Sequence, residues 1–346
     1  MRIGIVNDVP MAVEALRRVV ALNAKHRVIW VARNGVEAVD LCAKETPDLV
    51  LMDVIMPEMD GVQATRRIMA STPCAIVIVT GSVGANVGHV FEAMGHGALD
   101  AVDTPAVGAG DPQEGAAPLL AKIDLIGRLL GERDRDRRPT DPGPERGRAP
   151  GKSLLVAIGA SAGGPAALAA VLGGLPEEFP AAVVVIQHVD AQFAPGMAAW
   201  LSASSRLPVR VAREGDSVSA GTVLLAGTGD HLTLKGDGRL GYTPNPRDQV
   251  YRPSVDVFFQ SVSQRWQGGV VGVLLTGMGS DGAVGLKTLR DKGHYTIAQD
   301  RATSAVYGMP KAAAALDAAV EILPLSEIAS KLLSASRHGL ATVHDG

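Results

Sequence analysis

The chain has 346 residues, 47% of them hydrophobic, which is enough apolar material for two ordinary domains with buried cores. Its formal net charge of -3 gives no electrostatic reason to expect nucleic acid as a partner. No apolar run reaches membrane-spanning length, no signal-peptide pattern opens the chain, and Cys42 and Cys74 are too few for a disulfide framework, so we expect a cytoplasmic protein without membrane insertion.

Residues 1 to about 105 alternate between short apolar runs and helical patterns, which is typical of a parallel sheet covered by helices. Ligands of such sheets lie beyond the carboxyl ends of the strands, where Asp8, Asp53 and Thr80 all fall. Two carboxylates there suit a divalent cation, and Thr80 could hydrogen bond a phosphoryl group. The alternative is that Asp8 caps the first helix and Asp53 only ends a strand. The predicted strands are 2–7, 27–32, 48–52, 74–80 and 98–102, and the predicted helices are 10–23, 35–43, 61–70 and 88–94.

The segment from Met52 to Gly61 resembles the phosphoacceptor segment of bacterial two-component receiver domains, because it reads Met-Asp-Val-Ile-Met-Pro-Glu-Met-Asp-Gly. The resemblance covers residues 1–130 and implies a flavodoxin-like fold that is phosphorylated at Asp53. It also implies Mg2+ binding by Asp8, Asp53 and the Ile55 carbonyl, with Thr80 as the switch residue.

Three residues depart from the receiver pattern. Asn7 stands where a second acidic residue is expected, Ala101 where a switching aromatic residue is expected, and Thr104 where a lysine normally pairs with the phosphoryl group. We therefore expect metal binding, phosphoryl pairing or signal readout to be weakened.

Residues 131–152 mark a change of composition, since they are rich in Arg, Asp, Pro and Gly and carry almost nothing to bury. A last receiver helix is predicted over 116–130, just before this stretch. Acidic residues interleave with the arginines and largely cancel their charge, which favours a solvated tether over a nucleic-acid arm. The sequence therefore predicts a first domain at 1–130, a flexible linker at 131–152 and a second domain at 153–346.

The second domain opens with an apolar run from Leu154 that stops at Ser161 and continues into glycines and an Ala-rich segment. This pattern predicts a strand, a sharp turn and a helix, with Ser161 in the turn of a G-x-S-x-G motif. We expect the serine hydroxyl to be exposed above the sheet beside free N–H groups, as an acyl-transfer nucleophile requires. The alternative is a Gly-rich turn whose serine merely caps the helix. A phosphate-binding turn is disfavoured because G-x-G-x-x-G is absent.

Two further polar residues follow predicted strands of the same sheet. His188 ends the run 181–187, and Asp281 comes shortly after the run 269–275. Singly, a histidine at such a place more often packs or caps, and an aspartate more often caps a helix. Together with Ser161 they favour a Ser-His-Asp triad at one sheet edge. The remaining histidines have no metal-ligand spacing and are interpreted as surface or loop residues: His26, His89, His96, His231 and His294.

Five segments in this order resemble the catalytic domain of the chemotaxis receptor methylesterases, the CheB family. They are residues 159–165, 187–188, 251–259, 274–283 and 303–312. The order Ser, His, Asp also differs from that of ordinary α/β-hydrolases. With the receiver included, the resemblance covers nearly the whole chain and implies a doubly wound α/β catalytic domain. The variant receiver, with Asn7-Asp8 and Asp103-Thr104-Pro105, is similar to the Wsp-pathway branch, which acts in surface sensing.

The resemblance implies hydrolysis of γ-glutamyl methyl esters on methyl-accepting receptors, often with deamidation of receptor glutamines. Its partners would be such a receptor and a chemosensory histidine kinase, and the esterase would need no cofactor. Ser161 would be the nucleophile, His188 the base and Asp281 its orienting acid, with the N–H groups of Ala162 and Met278 as the oxyanion hole. The alternative is a catalytically silent response regulator whose second domain only docks on a receptor.

Overall fold

The computed structural model describes residues 1–81, 86–105, 112–131 and 154–338. The chain divides into two compact units, Met1–Arg137 and Arg138–Gly346. The predicted linker lies outside the described residues except for Gly131, which belongs to the last helix of the first unit. None of the described helices is long and apolar enough to cross a membrane.

The first unit is a five-stranded sheet in the order β2-β1-β3-β4-β5, with every pair parallel. This order and the alternating helices confirm the predicted receiver fold. The strands are β1 (Arg2–Val6), β2 (Arg27–Ala32), β3 (Leu49–Met52), β4 (Ala75–Thr80) and β5 (Asp100–Asp103). The helices are α1 (Pro10–Ala21), α2 (Gly35–Lys44), α3 (Gly61–Ser71), α4 (Val87–Gly95) and α5 (Pro112–Gly131).

Local sequence sets the helix starts in this unit. Pro10 occupies the first turn of α1, where its missing N–H is not needed. Asn34 and Asp60 cap α2 and α3 by accepting hydrogen bonds from the Glu37 and Gln63 N–H groups. The N-cap of α1 is Val9, so Asp8 does not cap this helix. The last strand of this unit, β5, begins two residues later than predicted, and the Leu99 N–H donates to the Ile76 carbonyl just before it.

The second unit contains a seven-stranded sheet in the order β14-β13-β12-β6-β7-β9-β8, again with every pair parallel. An antiparallel pair, β10 and β11, forms a separate hairpin. The strands are β6 (Leu155–Ala160), β7 (Ala182–Gln187), β8 (Val209–Val211), β9 (Val223–Leu225), β10 (His231–Leu234), β11 (Leu240–Thr243), β12 (Val270–Leu274), β13 (Tyr295–Gln299) and β14 (Glu321–Leu323). The helices are α6 (Gly164–Gly173), α7 (Ala194–Ser204), α8 (Val255–Arg265), α9 (Ala283–Asp291), α10 (Met309–Ala315) and α11 (Leu325–His338).

The central strands β12, β6 and β7 are buried along their whole length, as expected for strands covered on both faces. Helix α8 supplies the largest core side chains on one face, including Phe258 and Phe259, which are fully buried. Because β6 lies between β12 and β7, the carboxyl ends of these three strands are neighbours. The residues that follow them therefore meet at one edge of the sheet.

Candidate active site

Ser161 lies in the turn between β6 and α6, as predicted. Its N–H donates to the Thr276 carbonyl over 3.1 Å, and its own carbonyl accepts from the Gln187 side-chain amide over 2.8 Å. Gly163 caps α6 with φ of 73°, a left-handed conformation that favours glycine. The backbone of the serine is thus fixed on both sides. Ser161 is only 8% exposed, less than expected, because the turn containing Gly277 packs against its Cβ.

His188 follows β7 in register with Ser161. Ala160 pairs with Gln187 in the sheet, and the His188 N–H donates to the Ala160 carbonyl over 3.1 Å. The imidazole Nε2 lies 2.7 Å from Asp281 Oδ2, and both side chains are nearly buried. The other nitrogen, Nδ1, is buried without a hydrogen-bond partner among the described residues. This free nitrogen is therefore available to a group that enters from the substrate side.

The Asp281 carboxylate lies at the amino end of α8. It accepts hydrogen bonds from the Val255 N–H at 2.7 Å, the Ser254 hydroxyl at 2.8 Å and the Asp256 N–H at 3.1 Å. Burial acts to raise the pKa of Asp281, but the hydrogen bond and charge of His188, together with the Val255 and Ser254 donors, bring it below its usual value. The carboxylate therefore stays ionised beside the imidazole. Gly282, not Asp281, is the N-cap of α9.

Asp256 makes the reciprocal contact. Its N–H donates to Asp281, while its own Oδ1 accepts from the Gly285 N–H at 2.6 Å in the first turn of α9. The pKa of Asp256 is raised to about 6, chiefly by burial and also by the charge of Asp281, although the Gly285 and Gly282 N–H groups act to lower it. Each helix start thus holds a carboxylate from the other element, which fixes the turn that carries Asp281.

The candidate oxyanion donors are both close to Ser161. Ala162 is the next residue in the chain, and its carbonyl accepts from the Thr276 hydroxyl at 3.0 Å. Met278 belongs to the turn after β12, whose Gly277 lies so close that an added Cβ would be 2.8 Å from Ser161 Cβ. Among the described residues, neither the Ala162 nor the Met278 N–H donates to a protein group. Both N–H groups are therefore available for an anionic oxygen.

Sequence analysis missed several residues that support the histidine and the acid. The Tyr251 ring stacks on the His188 ring, with centroids 4.4 Å apart and planes 3° apart. Ser254 both caps α8 and donates to Asp281. The interpretation of His231 as a surface or loop residue is wrong, because it begins β10 and is fully buried. Ser254 could have been predicted as an N-cap, because it is a serine just before an apolar helical run. Nothing in the sequence pattern indicates that Tyr251 stacks on His188.

The candidate phosphorylation site lies at the end of β3. The Asp53 carboxylate accepts from the Val54 N–H at 2.6 Å and from the Asn7 side-chain amide at 2.9 Å. Burial raises the pKa of Asp53, and the charge of Asp8 adds to this, while the Val54 and Ile55 N–H groups and the Thr80 hydroxyl act to lower it. The pocket therefore holds the carboxylate with neutral donors where a receiver of the usual pattern has a second acid.

Asp8 is exposed and its charge acts on Asp53, and one or two carboxylates with water are sufficient chemistry for a Mg2+ ion. The Asn7 Oδ1 accepts from the Val9 N–H at 2.8 Å, so one of its two lone pairs is already used. The described residues contain no cluster of three or more His, Cys, Asp or Glu side chains suited to hold a metal.

The predicted switch residue Thr80 ends β4 and is buried, and its hydroxyl accepts from the Asn86 amide at 3.1 Å. Thr80 pairs with Asp103 in β5, and its carbonyl accepts from the Thr104 N–H at 2.8 Å. Thr104 therefore lies at the same sheet edge as Asp53. Ala101 is buried within β5.

Comparison with known proteins agrees with this geometry. The family model for the CheB methylesterase matches residues 156–332, and the model for the response regulator receiver domain matches residues 3–107. The crystal structure of the Thermotoga maritima CheB methylesterase catalytic domain is similar with a TM-score of 0.50 and 35% identity. That match covers 54% of this chain and 99% of the Thermotoga chain.

Curated relatives are similar along almost the whole length. A Pseudomonas fluorescens protein-glutamate methylesterase/protein-glutamine glutaminase is 62% identical over 96% of this chain and 98% of the relative. A Burkholderia thailandensis protein of the same description is 62% identical over 96% of this chain and 97% of the relative. The chain therefore belongs to the CheB methylesterase family and carries an N-terminal receiver domain.

Proposed function

We propose that this protein is a serine esterase that demethylates γ-glutamyl methyl esters on methyl-accepting receptors. The observation that carries the proposal is the 2.7 Å hydrogen bond between His188 and Asp281, formed beside the strand end that bears Ser161. A domain that only docks on a receptor would not require a buried imidazole-carboxylate pair next to a serine. The full-length similarity to proteins described as protein-glutamate methylesterase/protein-glutamine glutaminase supports the same activity.

In the proposed reaction, the Ser161 Oγ attacks the ester carbonyl and His188 Nδ1 takes the hydroxyl proton. The C–O bond to the methoxy group then breaks, and the proton passes from His188 to the departing oxygen, so that methanol leaves. Water, deprotonated by His188, hydrolyses the acyl-serine to a glutamate carboxylate and restores the serine. Asp281 keeps the imidazole oriented through Nε2 and stabilises the imidazolium at each step.

The Ala162 and Met278 N–H groups stabilise the oxyanion of each tetrahedral intermediate, and each such donor contributes on the order of 3 kcal/mol to the transition state in comparable enzymes. Residue 162 is an alanine, whose side chain has no donor, so this protein relies on the backbone N–H there. Glutamine side chains present the same acyl group with ammonia as the leaving group. We therefore propose deamidation as a second activity.

The receiver domain is proposed to be phosphorylated at Asp53 by a chemosensory histidine kinase. Asp8, Asp53 and the Ile55 carbonyl would hold Mg2+. When bound, the cation would offset the charge of the transferred phosphoryl group. With Asn7 and Thr104 in the pocket, this protein has fewer charged groups for both the cation and the phosphoryl group. The variant residues Asn7, Ala101 and Thr104 support our assignment to the Wsp branch.

Cys42 and Cys74 are both free thiols, which supports a location in the reducing cytoplasm.

The experiment that tests the activity is methanol release from membranes that carry a methylated receptor. The full-length protein should release methanol continuously, whereas the Ser161→Ala variant should bind the same membranes without releasing it. If wild type binds the membranes and releases no methanol, the silent docking alternative is correct. Ammonia release from receptors with glutamine at the methylation sites tests the second activity.

A further inference from the structure

His231 uses both ring nitrogens although it lies outside the triad. Its Nδ1 accepts from the Ser254 N–H at 3.1 Å, and its Nε2 lies 3.1 Å from the Pro246 carbonyl. An amide N–H only donates and a carbonyl only accepts, so both contacts require a neutral ring with its proton on Nε2. The ring is fully buried at the start of β10.

The two partners of this ring are the ends of one segment, residues 246–254, so His231 fastens both ends of it. The N–H of an N-cap residue needs a partner outside its helix, which a Glu or Gln three residues later often supplies. Here that position is Val257, and His231 accepts the Ser254 N–H instead. Residues 244–250 are all exposed, so little burial fixes the first half of the segment.

The fastened segment contacts the triad at two points. Tyr251 stacks on His188, and the Ser254 hydroxyl donates to Asp281 at 2.8 Å. The Tyr251 hydroxyl also packs against Gly279, where an added Cβ would lie 2.7 Å from that oxygen, in the turn that bears Met278. A shift of the segment would therefore disturb the base, its acid and an oxyanion donor together.

We propose that His231 is a positioning residue for the esterase reaction, which acts by fastening segment 246–254 so that Tyr251 and Ser254 hold His188 and Asp281. The expected effect on the kcat for methanol release rests on the proposed function. The structural consequence, the coupling of His231 to the His188 ring, does not depend on any substrate.

The test uses the full-length protein with His231→Leu, Tyr251→Leu and the double substitution. Misplacement of catalytic groups by about 1 Å costs up to roughly a hundredfold in rate, so we expect His231→Leu to lower kcat for methanol release roughly ten- to hundredfold, with KM within about threefold of wild type. The double variant should be no more than about threefold slower than the slower single variant, because both act through one segment.

A control variant in the same strand is Thr233→Val, which loses a buried hydrogen bond to the Gly241 carbonyl without touching the segment. It should keep the wild-type kcat. Should His231→Leu fail to fold, His231→Asn replaces it, since its amide oxygen still accepts the Ser254 N–H but it cannot reach Pro246. The same criteria then apply to it.

Histidine-selective 15N NMR gives a readout without substrate. The His188 ring resonances, assigned with a His188→Gln variant, should shift in His231→Leu and stay unchanged in Thr233→Val. Unchanged His188 resonances in His231→Leu, a fall in kcat of less than fivefold, or losses that multiply in the double variant would each overturn the inference. A wild-type protein that releases no methanol would count against the proposed function instead.

Discussion

At the scale of single residues, the receiver pocket shows how one substitution changes the chemistry of a site. Asn7 donates an amide N–H to the Asp53 carboxylate, which is the proposed site of the cation and the phosphoryl group. A carboxylate at this position would instead add an oxygen ligand and a negative charge. Asn7 therefore makes the pocket more neutral, at the expense of cation binding.

The Asn7→Asp variant should bind Mg2+ roughly three- to tenfold more tightly than wild type, because a hard cation gains a charged oxygen ligand. Isothermal titration of the full-length protein with Mg2+ measures this directly. Asn34→Asp, which adds the same charge at the N-cap of α2, serves as the control and should leave the affinity near that of wild type. Equal affinities for Asn7→Asp and wild type would show that residue 7 does not face the cation.

The residues whose positions could be predicted from sequence are those that end strands. Ser161, His188 and Asp53 follow buried apolar runs, and a parallel sheet brings the carboxyl ends of its strands to one edge. Tyr251 and His231 could not be predicted in the same way. They meet the site through an exposed segment and a separate hairpin, whose paths no hydrophobic period determines.

At the scale of elements, α8 and α9 hold each other through their amino ends. The start of α8 binds Asp281 from the turn before α9, and the start of α9 binds Asp256 from α8. Helix amino ends stabilise anions, so each contact is favourable by itself. The proximity of the buried Asp281 and the half-buried Asp256 has an opposing cost, since two carboxylates repel each other.

Asp256→Asn should relieve this cost while its amide oxygen still accepts the Gly285 N–H. The folded-state pKa of Asp256, about 6, is raised by burial above the value of an exposed aspartate, so its contribution to stability is present at low pH and lost as the pH rises through 6. The free energy of unfolding of wild type relative to Asp256→Asn should therefore fall by about 1 kcal/mol between pH 5 and pH 8.

Urea unfolding followed by tryptophan fluorescence measures this difference. A Trp30→Phe background removes the signal of the first unit, because the other two tryptophans, Trp200 and Trp266, belong to the second. A difference that does not change with pH, or one that changes in the opposite direction, would show that Asp256 is ionised in the folded protein throughout this range.

At the scale of the whole molecule, the chain joins a phosphorylatable unit to a unit with the geometry of an esterase. The predicted tether of about twenty residues keeps the two at high local concentration, so that even a weak contact between them would be frequent. We expect the receiver to restrain the esterase until Asp53 is phosphorylated. A change of 1–3 kcal/mol in such a coupling alters activity by roughly 5- to 150-fold.

A fragment that starts at Ser153 should therefore release methanol at least about fivefold faster per active site than the unphosphorylated full chain. Treatment of the full chain with a small phosphodonor should bring its rate toward that of the fragment, and an Asp53→Asn chain should not respond. A fragment no faster than the untreated full chain would mean that the receiver recruits substrate instead of restraining the site.

The central claim is that Ser161, His188 and Asp281 act as one catalytic unit. The measurement that tests it most directly is the rate of methanol release from a methylated receptor by the three alanine variants and by the triple variant. Groups that act as a unit are strongly non-additive, so Ser161→Ala and His188→Ala should each lose at least roughly a thousandfold, and the triple variant should lose no more than about threefold beyond Ser161→Ala. A Ser161→Ala variant that keeps more than about one tenth of the wild-type rate, or losses that multiply across the three positions, would contradict the claim.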